Sequence, residues 1–476
     1  MATELAKPWY RTITSAQRRS LLSAFLGWML DSCDIMLYAM VLAHLMKDLG
    51  MDKATGGLMS SLTLLASAVG GVLFGVVADR VGRVRALMMT ILIYSVFTAA
   101  CGLSQNILQL ALFRVLLGLG MGGEWATGAA LVAETWPDEH RGKALGLMQS
   151  SWAVGYALAA GITALVLPRW GWRAVFFFGI LPAFITLWIR KKVEEPEIWR
   201  RSRWKEARPN SDEKEVEDKE KAPPGEINQR NGQEKFSQPD WRLKRAEPAW
   251  KESEEPKKGP GNKGVGQQEP RKKRGAIAEI FRPPFLKSTL VTSLMNASTM
   301  FAWWGLFTWI PAYLGLPREE GGMGLDVVRT STWIVVMQVG MWFGYVTFGF
   351  ICDRIGRKKT YIFYLLAAAF LVAAYSSVRS NLTLLLLGPL VAFFGTGYFS
   401  GFGTITAEIF PTRIRASAQG FTYNIGRGLS ALAPFTIGAL ARVHGLSFAF
   451  YLTAAFFLMA AVIAFALPET KGKTLE

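Results

Sequence analysis

Five charged residues stand inside runs that are otherwise apolar: Asp31, Asp34, Arg114, Glu124 and Arg427. A charge at the centre of a membrane helix costs on the order of 3 kcal/mol on insertion scales, so a residue kept there is a functional candidate. Carboxylates in such a place can take up and release a proton. A guanidinium can hold an anion through its planar pair of donors. Asp31 and Asp34, three residues apart, occupy neighbouring positions on one helix face. Counted from Arg18, Asp31 lies about 20 Å and Asp34 about 24 Å along the first apolar run. Arg114 comes roughly a third of the way along the fourth run, which returns in the opposite direction, at a depth close to that of Asp34. An Asp34–Arg114 pair is therefore expected, and protonation of Asp34 would release Arg114. Glu124 lies about 15 Å beyond Arg114. It reads either as a second proton carrier or as a buried carboxyl capped by Trp125 or backbone amides.

Arg427 lies about 18 Å beyond Arg415, with Asn424 and Tyr423 within about one turn. Two roles stay open for it: holding the carboxylate of a substrate, or pairing with Asp31 at similar depth. Asn296, Gln338, Tyr398, Gln149 and Tyr156 are polar groups at cavity depth, each equally readable as interhelical hydrogen bonding. Trp303, Trp304 and Trp309 suit interface anchoring or a cavity wall. The glycines between Gly118 and Gly123 read as close helix packing rather than a phosphate cradle, since no strand precedes them. No nucleophile and base pair, metal-ligand spacing or cofactor fingerprint is legible, which disfavours an enzyme, and no cofactor is expected.

The elements that must position these residues follow from composition. The chain has 476 residues, 51% hydrophobic and 19% charged, with a formal net charge of +17 and a mean hydropathy of +0.23. Apolar spans recur near 20–44, 57–78, 85–103, 107–133, 143–167 and 172–190, then near 286–315, 328–352, 359–378, 382–408, 416–441 and 446–467. Each is long enough to cross roughly 30 Å of hydrocarbon. The expected fold is an all-α membrane protein of twelve transmembrane helices in two six-helix halves. A strand barrel is a poor alternative, because alternating segments of about ten residues are absent and Gly and Ala recur at helix-packing spacings. Cys33, Cys101 and Cys352 fall in apolar stretches without disulfide or metal spacing. The basic amino terminus is followed by no cleavage pattern, so the first span is expected to stay in the protein. Arg80, Arg83, Arg85, Arg141, Lys143, Arg354, Arg357, Lys358, Lys359, Arg413 and Arg415 fall in alternate short loops, which predicts both termini on the cytoplasmic side of the plasma membrane.

Between the halves the composition changes. Residues 199–274 mix Lys, Arg, Glu, Asp, Pro, Gly and Gln with few aliphatics, too little apolar area to offset ordering entropy. The expected organisation is a six-helix bundle over 1–192, a disordered polar cytoplasmic linker over 193–281, and a second bundle over 282–476. The basic ends of the linker obey the positive-inside bias and can touch anionic lipid. Nucleic acid is not an expected partner of a chain anchored in a bilayer, and a monomer is expected.

Internal repetition is the strongest pattern. The loop after the second span holds Gly75, Asp79, Arg80, Gly82, Arg83 and Arg85; the loop after the eighth holds Gly349, Asp353, Arg354, Gly356, Arg357 and Lys359. Asp353 minus Asp79 gives an offset of 274, which also carries Glu134 to Glu408, Pro137 to Pro411, Arg141 to Arg415, Gly146 to Gly420 and Gly171 to Gly445. Gly75 and Gly349 are expected to admit close helix approach. Asp79 and Asp353 are expected to pair with arginines at neighbouring helix ends, forming with Arg80, Arg83, Glu134, Arg141, Arg354, Arg357, Glu408 and Arg415 a gate latched by ion pairs.

The loops GVVADRVGRVR and GFICDRIGRKK resemble the signature of the major facilitator superfamily, over essentially the whole chain outside the linker. The stretches Pro8 to Leu42, Trp170 to Lys191 and Gly420 to Pro434 are similar to the sialate and lactate branch of proton symporters for organic carboxylates. The tail from Leu467 is similar to the sugar porters. The resemblance implies a secondary transporter working by alternating access, with protons and a small organic anion as partners. It implies that the pair Asp34 and Arg114 couples proton movement, and leaves Arg427 outside the family pattern. Some sialate symporters carry two extra helices where this chain has a hydrophilic insert, which points to a monocarboxylate such as lactate or pyruvate. Sialate, a sugar, and a nontransporting sensor are the alternatives.

Overall fold

The computed structural model describes residues 13–196, 199 and 276–471. The expected linker therefore lies outside the described residues over 200–275, as do the side chains of Asp79 and Arg141. The described residues on either side of Arg203–Arg274 form one compact unit.

Every long element is a helix. An amino-terminal set comprises α1 (Ser15–Asp48), α2 (Lys53–Val81), α3 (Arg83–Cys101), α4 (Ile107–Thr135), α5 (Asp138–Phe177) and α6 (Leu181–Lys192). A carboxy-terminal set comprises the short α7 (Ala276–Ile280), then α8 (Leu286–Phe307), α9 (Ile310–Gly315), α10 (Val327–Ile355), α11 (Arg357–Ser377), α12 (Asn381–Thr396), α13 (Phe399–Ile409), α14 (Thr412–Ser430), α15 (Ala433–His444) and α16 (Leu446–Ala464). Among the described residues, nine helical segments are long and apolar enough to cross a membrane.

Local chemistry starts and stops these helices at equivalent places in the two sets. Asp52 and Asp326 cap α2 and α10, accepting from the Thr55 and Arg329 amides. Asn106 and Ser380 cap α4 and α12. Side-chain acceptors satisfy amides that the first helical turn leaves without a partner. Gly82 and Gly356 join the second and third helices of each set at φ 120° and 113°, a region that a side chain would strain. All three pairs keep the offset of 274.

α1 is buried at every residue from Leu30 to Leu42, which makes it the central post of the bundle. α2 and α4 cross where a Cβ on Gly122 would collide with the Ser67 carbonyl oxygen. The close approach expected at Gly75 and Gly349 is not there: a Cβ at either meets nothing within 4 Å. Among the described residues no atom comes that close to either glycine, and Gly70, Gly118 and Gly122 make the crossing of α2 and α4 instead. Gly122→Val should destabilise the protein by about 1–3 kcal/mol through overpacking, read as a lower unfolding temperature in detergent. Gly146→Ala, in open space, should not lower it.

The two sets meet most firmly at the end of the bundle away from the amino terminus. There Asp52 pairs with Arg442 at 2.9 Å, Lys53 Nζ donates to the Glu320 carbonyl at 2.8 Å, the Phe435 amide donates to Ser61 Oγ at 3.1 Å, and Tyr156 donates to the Phe307 carbonyl at 3.0 Å. Hydrogen bonds from Thr55 and from Arg442 hold the Asp52 carboxyl down to about 2. Its contribution is therefore complete above the ordinary carboxylate range and is lost only as pH falls toward 2.

Candidate functional site

A small cavity lies at the middle of the bundle between the two sets. Its lining is Trp28, Gln149, Trp152, Met300, Trp303, Trp304, Tyr345, Phe399, Tyr423 and Arg427. The aromatic rings pack against one another: Trp28 and Trp152 are tilted with centres 4.8 Å apart, while Trp152 and Trp303 at 5.7 Å and Trp303 and Trp304 at 4.8 Å meet edge to face. Arg427, 4% exposed, is the one cation in this lining. The free volume is about 30 Å³, room for on the order of two waters.

Behind the lining stand the buried acids. Asp31 on α1 and Glu124 on α4 are 1% and 0% exposed, and neither carboxylate oxygen of either has a hydrogen-bond partner. Arg427 is the cation whose field reaches both, and the two acids also feel each other. No ion pair joins Arg427 to a carboxylate among the described residues. The capping expected of Glu124 is absent: the Trp125 indole donates instead to Gln149 Oε1 at 3.3 Å. Space at Glu124 is made by Gly27, where a Cβ would strike Oε1.

Asp34 faces elsewhere. It too is buried, with Oδ2 lacking a partner, and its Oδ1 lies on the side of Gly179 and of Thr98 in α3, whose hydroxyl donates to the Tyr94 carbonyl at 2.8 Å. The expected Asp34–Arg114 pair is not formed. Arg114 lies with its guanidinium carbon 4.1 Å over the Tyr38 ring, a cation–π contact, and its Nε and Nη1 have no hydrogen-bond partner. Equal depth along two helices does not give equal azimuth around them, and these two side chains turn to different neighbours.

The other polar candidates divide. Gln149 and Tyr423 line the cavity. Asn296 donates to the Thr422 carbonyl at 3.1 Å, Tyr398 to the Thr299 carbonyl at 3.3 Å, and Asn424 to the Gly420 carbonyl at 2.9 Å; all three are interhelical or local ties. Gln338 is buried with both amide atoms unpartnered, away from the cavity lining.

At the terminal end, Arg83 pairs with Glu134 at 2.9 Å and Arg357 with Glu408 at 3.1 Å. Arg357 also pairs with Asp353. These ion pairs stay within one set. Arg80 and Arg354 are exposed, and Arg415 Nε donates to the Ala407 carbonyl at 2.9 Å. Two further acids complete the pattern: Glu195 accepts from the Val84 and Arg85 amides at the start of α3, and Glu469 accepts from the Arg357 amide at the start of α11. Partial burial opposes ionisation of Glu469, but the amides of Lys471, Arg357 and Thr470 outweigh it and hold its carboxyl below the usual range. These two glutamates were legible too, since 195 and 469 keep the same offset of 274.

The sequence matches the profile described as Major Facilitator Superfamily over residues 24–328 and 322–476. It is 29% identical to the niacin transporter NiaP of Acinetobacter baylyi over 95% of this chain and 94% of that one. It is 27% identical to the sialic acid transporter NanX of Escherichia coli over 98% of each. The crystal structure of a D-xylose-proton symporter superposes with a TM-score of 0.68 at 17% identity, covering 97% of this chain and 100% of that one.

Proposed function

The chain belongs to the Major Facilitator Superfamily, and from that premise we propose that it carries a small organic monocarboxylate together with a proton by alternating access. It is a multi-pass integral protein of the cell membrane and a transporter of organic acids rather than an enzyme. Joining the broken pairs α8 with α9, α12 with α13 and α14 with α15, and dividing α5 at Gly171 so that its last turns run on into α6, gives twelve crossings, which the positive-inside bias orients with both termini cytoplasmic. The six-helix halves are then 1–192 and 282–476, tethered by the polar segment between them.

The observation that carries this reading is Arg427: one guanidinium inside an aromatic cavity, near two acids that have no hydrogen-bond partner. A substrate carboxylate can take two donors from it. An ionised Asp31 or Glu124 competes for the same positive field, because an uncompensated charge pair buried there costs several kcal/mol. Proton uptake by the acid frees Arg427 for the incoming anion, so the anion and proton move together. On the empty return the acid is ionised again and balances Arg427. Asp34, on the α3 side of α1, and Arg114, stacked on Tyr38, stand one shell further out and adjust how α1 and α4 sit. The ion pairs Arg83–Glu134 and Arg357–Glu408, with Gly75 and Asp79 near the end of α2, Arg141 in the first turns of α5 and Gly349 near the end of α10, act as the gate of the terminal end.

Lactate and pyruvate are the substrates that the sequence resemblance favours. The ring of Trp28, Trp152, Trp303, Trp304 and Phe399 favours a second reading, a flat conjugated carboxylate that stacks while Arg427 holds its charge. The likeness to a niacin transporter supports it. A sugar would leave Arg427 without a ligand.

Uptake of labelled lactate, pyruvate, nicotinate, sialate and xylose into proteoliposomes under an inward proton gradient tests this. At least one carboxylate should accumulate, and collapse of the gradient should end accumulation. Accumulation of xylose alone would overturn the carboxylate reading.

A further inference from the structure

Trp125 of α4 and Tyr423 of α14 stack across the two sets, ring centres 4.3 Å apart and planes within 8°. Tyr423 is one turn nearer the terminal end than Arg427 in α14 and lines the cavity, so the pair stands at that end of the lining. Gln149 holds the Trp125 indole from α5, and Phe402 backs Tyr423 at 6.1 Å. At the opposite end Asp52–Arg442 and the neighbouring hydrogen bonds join the two sets. The free space beside Arg427 is about 30 Å³, far below the roughly 300 Å³ or more of an open small-molecule pocket.

We propose that the Trp125–Tyr423 stack is the door of the carboxylate cavity toward the terminal end, a two-ring contact that must part before the substrate enters or leaves on that side. The inference rests on the reading of that cavity as the transport site. The attachment of the rings suits a door. Trp125 follows Glu124 directly in α4, and Tyr423 precedes Arg427 by one turn in α14. A change of charge or ligand at Glu124 or Arg427 therefore moves the backbone that carries each ring. An aromatic stack contributes only modestly beyond area burial, enough to bias closure and small enough to be broken in each cycle.

The test places a reporter thiol in the cavity, Met300→Cys, in membrane vesicles whose terminal side faces the bath. Labelling by a membrane-impermeant sulfonated methanethiosulfonate is timed, with the parent protein, which carries only its three native cysteines, as background. Trp125→Ala and Tyr423→Ala, each combined with Met300→Cys, should raise the labelling rate of the reporter thiol at least tenfold. Trp125→Phe, which keeps a stacked ring, should leave it within about twofold. Phe399→Cys, a second lining position, should respond in the same way. Equal labelling of the reporter with and without the alanine substitutions would overturn the door, as would equal labelling of Trp125→Ala and Trp125→Phe. If an alanine variant fails to fold, Trp125→Leu and Tyr423→Leu keep the bulk and remove the stack, and an unchanged rate there is equally decisive. Labelling needs no substrate, so failure to find a transported carboxylate leaves this result intact, and a closed door leaves the uptake assay intact.

Discussion

Arg427→Gln should abolish measurable accumulation of the substrate while leaving the amount of protein in the membrane unchanged. Hydrogen bonds to a charged group are worth about 1.5–3 kcal/mol each, so loss of a two-donor clamp weakens binding by on the order of a hundredfold or more. Arg427→Lys keeps the charge and loses the planar fork. It should weaken binding by about 1–3 kcal/mol, roughly five- to a hundredfold. Trp28, Trp152, Trp303 and Trp304 surround the site, so quenching of tryptophan fluorescence by added substrate reads the affinity directly. The competing role for Arg427 is charge balance for Asp31 alone. In that case Arg427→Gln combined with Asp31→Asn should transport normally, because neither charge is left uncompensated. Normal transport by that double variant, or unchanged affinity in Arg427→Lys, would remove Arg427 from the substrate site.

How much of this was readable in the residues depends on what a one-dimensional pattern encodes. The repeat was readable because an offset is a property of the chain. The pairs Arg83–Glu134 and Arg357–Glu408 keep that offset, as do Gly82 and Gly356 with their positive φ. Depth was readable as well, since rise per residue is fixed: Asp31, Glu124 and Arg427 all come to the buried middle. Azimuth was not. Arg114 and Asp34 share a depth, but Arg114 rests on Tyr38 and Asp34 lies toward Gly179 and Thr98. Nor could neighbour identity be read from a motif. Gly75 and Gly349 look like packing glycines within their loops, and only the assembled bundle shows that Gly122 and Ser67 make the contact. Tryptophans presented the same limit. Trp309 donates to the Pro434 carbonyl at 2.9 Å and acts as a structural tie, while Trp303 and Trp304, a few positions before it, form the cavity wall.

That azimuthal difference sets the order of effects among the acids. Asp31→Asn and Glu124→Gln should each abolish accumulation driven by a pH gradient, because each removes a carboxyl within the field of Arg427. Counterflow exchange of labelled for unlabelled substrate should persist in at least one of them, since exchange requires the loaded carrier to reorient but no net proton movement. Asp34→Asn should reduce accumulation less, because its carboxyl lies toward Thr98 and Gly179 and outside the lining of the cavity that holds Arg427. A neutral amide is nearly isosteric with the carboxyl, so packing around Gly27 and Gly179 is preserved and the loss can be assigned to the proton rather than to folding. Both assays use one reconstituted preparation: accumulation with the gradient imposed, exchange without it. Two outcomes would move the coupling site. If Asp34→Asn alone lost accumulation and kept exchange, the proton would travel on the α3 side of α1, with Arg114 as the responding cation. If Asp31→Asn and Glu124→Gln both accumulated substrate at the parent level, these acids would be structural, and Arg427 would bind the anion without coupling it to a proton.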